Sequence, residues 1–267
     1  MITYIESQLA PFYSPQEATD LAFWILEETT GLSRADISAG KDTQNISNIE
    51  IILKRLQKKE PIQYIFGHTL WFGLDLSVNS ATLIPRPETA ELVEWILQTM
   101  PADQPLSVLD IGTGSGCIAI ALKKRRPNWQ VTGMDISPEA LQIAQQNAIR
   151  NNTQISWLQH DIFSDFTGTF TLIVSNPPYV LDSEKSAMEP TVLDYEPHSA
   201  LFVPDDDPLR FYKRICSLKA AENIFFEVNE RFAQQVAQLL RENNYNDVQI
   251  KRDIYEKQRM VAGRIKE

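Results

Sequence analysis

Val108-Leu109-Asp110-Ile111-Gly112-Thr113-Gly114-Ser115-Gly116 reads as a buried strand that runs into a glycine-rich turn and then into a helix. Glycines in such a turn let backbone approach a ligand closely and leave N–H groups exposed at the helix start. The strand–helix alternation continues from here. Strands are expected at Leu106–Ile111, Gln130–Asp135, Gln154–Gln159, Phe170–Ser175, Asn223–Val228 and Asp247–Lys251, with a last one near Arg259–Arg264. Helical stretches separate most of them. Ser137-Pro138-Glu139 starts one with good capping chemistry, and Asp207-Pro208 is expected to start another. Repeated βα units make an α/β domain, a mostly parallel sheet covered on both faces.

In such sheets ligands sit beyond the carboxyl ends of the strands. Asp135 lies there, 19 residues after Gly116, where a carboxylate can accept both hydroxyls of a ribose. Asp161, after the next strand, is placed to accept an adenine amino proton, and Ile162 beside it can cover the adenine face. A dinucleotide site would need a third glycine where Cys117 stands. The observed G-x-G-x-G after an acidic strand end instead resembles the class I methyltransferase motif for S-adenosylmethionine, a ligand without a pyrophosphate.

After the fourth strand comes Asn176-Pro177-Pro178-Tyr179. Two prolines can neither continue a strand nor enter a helix interior, so the chain leaves the sheet as a stiff elbow. Asn176 offers an amide oxygen and an NH2, Pro177 a carbonyl on rigid backbone, and Tyr179 a flat ring. The set suits a planar target that carries an NH2 group. The alternative is a proline-rich turn whose asparagine bonds its own backbone; the cofactor motif favours the first reading.

Residues 1 to about 60 read as all-helical. Ser14-Pro15-Gln16-Glu17 is a capping box, followed by the apolar face Ala18, Leu21, Ala22, Ile25 and Leu26, and closed by Gly31. Ser47-Asn48-Ile49-Glu50 repeats the box ahead of Ile52, Leu53 and Leu56. Residues 70–78 change period to a half-buried strand, with a hairpin suggested at the junction between domains. The expected division is 1–68 helical, 69–84 hairpin linker and 85–267 catalytic domain. Arg86, bracketed by prolines, either faces the cleft or pins the linker. Residues 180–207 are expected to be a long acidic loop, a lid or binding loop.

The net charge of −10 argues against nucleic acid as the main partner. Residues 1–80 carry 6 basic and 10 acidic side chains, so the small domain offers no basic groove either. No apolar run approaches a membrane span, and a cytoplasmic monomer is expected. Cys117, Cys216 and the isolated His68, His160 and His198 show no metal spacing, so no metal is expected.

Taken with Pro61-Ile62-Gln63-Tyr64-Ile65-Phe66-Gly67, Ile84-Pro85-Arg86-Pro87-Glu88-Thr89 and Glu196-Pro197 before Ala200-Leu201, these motifs resemble the bacterial release factor glutamine N5-methyltransferases, the HemK/PrmC family. The resemblance implies a seven-stranded, Rossmann-like class I methyltransferase domain with a small N-terminal helical domain that docks the substrate and a β-hairpin linker. It implies S-adenosylmethionine as cofactor, held by Gly112, Thr113, Gly114, Ser115, Gly116, Asp135 and Ile162, with Asn176 touching cofactor and substrate. Pro177, Pro178 and Tyr179 would complete a pocket for the glutamine of the Gly-Gly-Gln loop of peptide-chain release factors. N6-adenine or guanine amino methylation of nucleic acid is the alternative that the same four residues would serve. Ile162 stands where an aromatic is common in the family, and Glu256 where glycine is common.

Overall fold

A computed structural model describes residues 1–41, 43 and 46–265. They fall into two compact units, residues 1–67 with 189–195, and the remainder.

The first unit is helical: α1 (Ile2–Leu9), α2 (Pro15–Thr30), α3 (Arg34–Ser38), α4 (Ile49–Gln57) and α5 (Ile62–Phe66). The Ser14 hydroxyl accepts the Glu17 N–H, and the Glu17 carboxylate accepts the Ser14 N–H at 2.9 Å, so α2 begins with the full capping box. Gly31 ends it in the left-handed conformation (φ 69°). Ala18, Ala22, Ile25 and Leu26 bury against Ile5, Leu9, Ile52, Leu53 and Leu56. The second capping box does not form. Asn48 caps α4 with φ 67° and no side-chain bond, while Glu50 accepts the Tyr4 hydroxyl at 2.5 Å. In the basic cluster on α4, Arg55 is bound by Glu60 at 2.5 Å.

The second unit opens with a hairpin, β1 (His68–Trp71) and β2 (Leu74–Ser77), joined by Phe72 and Gly73 at φ 50° and 74°. Two consecutive left-handed residues are the signature of the tight turn whose twist suits a hairpin. The hairpin suggested by the sequence forms, and its turn divides the alternation read over residues 70–78 between two strands. Trp71 pairs with Leu74 and both are buried, whereas Leu70 is 78% exposed. The hairpin is also more than a linker: Asn147 accepts the Ser77 N–H at 2.6 Å and donates to its carbonyl at 3.0 Å, clamping β2 onto α8 (Pro138–Arg150).

Between them in the chain come α6 (Pro87–Thr99), β3 (Ser107–Ile111), α7 (Cys117–Arg125) and β4 (Gln130–Asp135). After α8 come β5 (Ser156–Gln159), β6 (Phe170–Ser175), β7 (Val180–Leu181), α9 (Pro190–Leu193, part of the first unit) and β8 (Phe202–Val203). The chain closes with α10 (Arg210–Leu218), β9 (Ala221–Glu227), α11 (Ala233–Glu242), β10 (Asn246–Arg252) and β11 (Gln258–Arg264). The seven-stranded sheet has the order β10-β11-β9-β6-β3-β4-β5, parallel except for β11. One face buries Val108, Leu172, Val174 and Phe225 beneath α6 and α7; the other buries Leu109, Ile173, Ile224 and Phe226 beneath α10 and α11. β3 runs to β4 and β5 on one side, while β6 and β9 lie on the other, so the strand order reverses at β3/β6. A ligand crevice is expected at that reversal.

Two further expectations are corrected. Residues 180–207 are not an irregular loop: β7 and β8 pair in parallel, and short helical turns occupy 182–187 and 198–200. The helix expected from Asp207-Pro208 begins at Arg210, with Asp207 accepting from Lys213 at 2.6 Å. Glu256, where the resemblance leads one to expect glycine, holds φ 63°, a conformation glycine adopts without a Cβ penalty.

Candidate active site

The carboxyl ends of β3, β4, β5 and β6 surround a cavity of about 400 Å³. Asp110 lies behind the glycine turn that borders it. It is fully buried; its Oδ2 accepts the Thr113 hydroxyl at 2.6 Å and the Ala119 N–H at 3.2 Å, tying the glycine turn back onto the strand. Its Oδ1 has no partner, and burial pushes the carboxyl up to about 7. Gly112, Gly114 and Gly116 have φ of 72°, 55° and 81°. A Cβ on Gly112 would meet nothing within 4 Å, so bare backbone faces open space there. At Gly116 a Cβ would come within 3.1 Å of Ala144, Ile120 and Trp157, so that glycine serves packing behind the turn.

Asp135, at the end of β4, accepts the Gly114 N–H at 2.9 Å and the Ser137 N–H at 3.0 Å. Each oxygen keeps a further lone pair, and burial raises the carboxyl above its ordinary range. After β5, Asp161 accepts the Phe163 N–H at 2.9 Å, which holds the turn that carries Ile162. Ile162 is buried, while Phe163 is 40% exposed, packed on Phe211 at 5.2 Å with the Arg210 guanidinium 4.6 Å from its ring. Gly112, Thr113, Gly114, Ser115, Asp135, Asp161 and Ile162 line the cavity, whereas Asp110 and Gly116 lie behind the turn. A carboxylate with free lone pairs, bare glycine backbone and an apolar wall form a set that suits a nucleoside.

The elbow after β6 brings Asn176, Pro177 and Pro178 to the same cavity. The Asn176 NH2 donates to the Thr89 hydroxyl at 3.2 Å, and Thr89 donates to Glu227 Oε2 at 2.7 Å. Tyr179 differs from expectation. It is not among the cavity-lining residues; its hydroxyl donates to Glu227 Oε1 at 3.0 Å, and burial beside that carboxylate raises its pKa. Glu227 is 1% exposed with its own pKa raised by burial. Arg86 answers to both of its readings: it lines the cavity and pairs at 2.5 Å with Glu196, whose carboxylate also accepts the Ile84 N–H at 3.2 Å. The motif at 84–89 is thus fastened to the segment at 196–200, and both border the cavity.

Sequence reasoning gave no role to Thr89, Glu196, Glu227, Phe163 or His160. His160 lines the cavity with a buried, unpartnered Nε2. Glu227 carried a signal, an acid closing the apolar run Ile224-Phe225-Phe226 at a strand's carboxyl end. Among the described residues no cluster of His, Cys, Asp and Glu could hold a metal ion, and no helix is long and apolar enough to cross a membrane.

Two family models match the chain: the Methyltransferase small domain over residues 92–192 and the PrmC N-terminal domain over residues 1–67. The release factor glutamine methyltransferase of Bacteroides thetaiotaomicron is 44% identical, over 97% of this chain and 97% of its own. The Flavobacterium psychrophilum protein of the same name is 40% identical, over 97% of this chain and 96% of its own. Among solved structures, the human methyltransferase 10 domain containing protein superposes with a TM-score of 0.56 at 17% identity, covering 76% of this chain and 96% of that one, a likeness of fold. The glycine turn, the acid after β4 and the Asn-Pro-Pro elbow thus sit on a methyltransferase fold, in a chain alike along nearly its whole length to two proteins of one name: it belongs to the release factor glutamine methyltransferase family.

Proposed function

We propose that the protein transfers a methyl group from S-adenosylmethionine to the side-chain amide nitrogen, N5, of the glutamine in the Gly-Gly-Gln motif of peptide-chain release factors. Gly112, Thr113, Gly114, Ser115 and Gly116 would hold the cofactor with Asp135, Asp161 and Ile162. Free lone pairs on Asp135, open space beside Gly112 and a cavity of about 400 Å³ fit that group. When bound, S-adenosylmethionine supplies a methyl on a sulfonium, already a good electrophile.

The difficulty lies with the nucleophile, because an amide nitrogen shares its lone pair with its carbonyl. The observation that carries the reading is the Asn176 amide: its NH2 is engaged by Thr89, which leaves Oδ1 to accept. Asn176 Oδ1 and the Pro177 carbonyl accept the two N–H bonds of the glutamine amide and hold both hydrogens out of the amide plane. A pyramidal nitrogen with its lone pair aimed along one line results. Positive charge developing on that nitrogen strengthens both hydrogen bonds in the transition state, the condition for raising the rate. Alignment contributes further, up to ~7–11 kcal/mol in well-oriented systems. No general base is needed before transfer, since the alkylated nitrogen is acidic and releases its proton to water. Pro178 flanks the amide plane and excludes water. On this reading the protein works in the cytoplasm, where translation terminates.

Amino methylation of adenine or guanine in nucleic acid needs a basic groove for phosphates, and the net charge of −10 disfavours it. Labelled S-adenosylmethionine offered together with purified release factor and with total nucleic acid separates the two. Label in the release factor supports the proposal; label confined to nucleic acid refutes it.

A further inference from the structure

We propose that Thr89 is a positioning residue: anchored on the Glu227 carboxylate, its hydroxyl fixes which end of the Asn176 amide faces the substrate. The inference rests on the reading of Asn176 given above and extends it to Thr89, which borders the cavity and acts through the Asn176 amide.

A threonine hydroxyl has one hydrogen to give and lone pairs with which to accept. Here the hydrogen is committed to Glu227 Oε2 at 2.7 Å, the shorter and charge-assisted bond. Towards Asn176 the hydroxyl can then only accept, and it does so from Nδ2 at 3.2 Å. The polarity of the first bond dictates that of the second. With its NH2 turned to Thr89, the amide presents Oδ1 at its other end. An amide turned the other way would set NH2 against the NH2 of the incoming glutamine, donor facing donor, and the hydrogen bond that strengthens in the transition state would be lost.

Glu227 is suited to impose this direction. Its second oxygen accepts from Tyr179 at 3.0 Å, so both oxygens receive hydroxyl hydrogens and the carboxylate cannot rotate without losing one. Tyr212 fixes the backbone beneath it by donating to the Glu227 carbonyl at 3.0 Å. The relay is dry: Thr89 is 3% and Glu227 1% exposed, so water does not compete for the hydroxyl. The arrangement also accounts for Tyr179 standing off the cavity, as the second clamp on the carboxylate. Thr89 occupies the first turn of α6 and Glu227 the end of β9, so strand and helix packing set the relay geometry rather than a loop.

The test compares parent, Thr89→Val, Thr89→Ser, Glu227→Gln, Asn176→Ala and the Thr89→Val/Asn176→Ala double variant. Single-turnover transfer to release factor is followed, with cofactor binding measured by calorimetry and folding by thermal melting. Asn176→Ala should lower kcat about 10²–10³-fold. Thr89→Val keeps the shape but loses the hydroxyl, and should lower kcat about tenfold, the value of one hydrogen bond, with KM and cofactor affinity near parent. Thr89→Ser should recover kcat to within about threefold, because the hydroxyl returns. The double variant should be no slower than Asn176→Ala alone, because Thr89 acts only through that amide. Glu227→Gln can donate to the Thr89 oxygen and free the hydroxyl to donate, so it should lower kcat while retaining the parent fold. That variant decides the matter if Thr89→Val proves unstable. Thr89→Val at the parent kcat, with Asn176→Ala slow, overturns the positioning role and leaves the reading of Asn176 standing. A double variant about tenfold slower than Asn176→Ala also overturns it, since Thr89 would then act independently. Asn176→Ala at the parent rate overturns both.

Discussion

Replacing Asp135 by alanine isolates the cofactor side of the site. In the free protein its two oxygens accept the Gly114 and Ser137 N–H groups at 2.9 and 3.0 Å, and each retains a lone pair for a ligand hydroxyl. Losing a charge-assisted bond to a ribose hydroxyl costs about 1.5–3 kcal/mol. At about 1.4 kcal/mol per decade, that is a roughly 10–150-fold rise in Kd for S-adenosylmethionine. The substitution also leaves the Gly114 N–H without its partner, which loosens the turn and adds to the loss. Asp135→Asn keeps one acceptor oxygen but turns a donor towards an N–H, and should fall between parent and alanine. Burial raises the Asp135 carboxyl, so acidification should weaken cofactor binding in the parent at a pH above the ordinary aspartate range, and this dependence should vanish in Asp135→Ala. Isothermal calorimetry over a pH series measures both effects. A Kd for Asp135→Ala within about twofold of parent, in a protein with the parent's melting curve, would place the ribose contact elsewhere.

Gly116→Ala tests the packing behind the turn: at φ 81° the new Cβ would lie 3.1 Å from Ala144, Ile120 and Trp157. Left-handed strain and overpacking together should destabilise the fold by ~2–4 kcal/mol in urea unfolding, and an unchanged midpoint contradicts the argument. Asp110 should make the ligand-free protein lose stability as pH rises. Its folded carboxyl lies near 7 against an ordinary 3.8, so its contribution is fully present below the unfolded value and is lost as pH rises through the folded one. The shift of roughly 3 units corresponds to the order of 4 kcal/mol, and Asp110→Asn should flatten the decline across that window; a slope identical to parent refutes the assignment.

Elements with strong local signals were legible. Gln130–Asp135 and Phe170–Ser175 begin and end where apolar runs meet polar or proline boundaries, and Ser14 and Gly31 bracket α2 by cap chemistry alone. Where the fold departs from expectation, the signal was short or ambiguous. β7 and β8 have two residues each, too few to show a period. The hairpin itself was expected, but the Phe72-Gly73 turn carries none of the Asn-Gly or Asp-Gly marking that locates such a turn within an alternating run. Ser47 and Asn48 are both competent caps by type, and the structure places Asn48 at the cap without a side-chain bond.

The site divides in the same way. Residues brought to the cavity by their place on the sheet were legible from spacing: the glycine turn, Asp135, Asp161 and Asn176 all follow strand ends and border it. The residues that support them could not. Thr89 and Glu227 are 138 positions apart, and Arg86 and Glu196 are 110 apart. Nothing in either local stretch says that they meet. Tyr179 shows the converse, a residue close to Asn176 in sequence whose hydroxyl turns to a buried carboxylate and which does not line the cavity.

Mass spectrometry of a release factor, digested after incubation with S-adenosylmethionine and either the parent protein or Asn176→Ala, tests the central claim most directly. The account predicts one added methyl on the peptide that contains Gly-Gly-Gln, with fragment ions placing it on the glutamine side chain, and loss of nearly all of that product with Asn176→Ala at equal cofactor occupancy. An unmodified glutamine with the parent protein, or a methylated glutamine at the parent rate with Asn176→Ala, would contradict it.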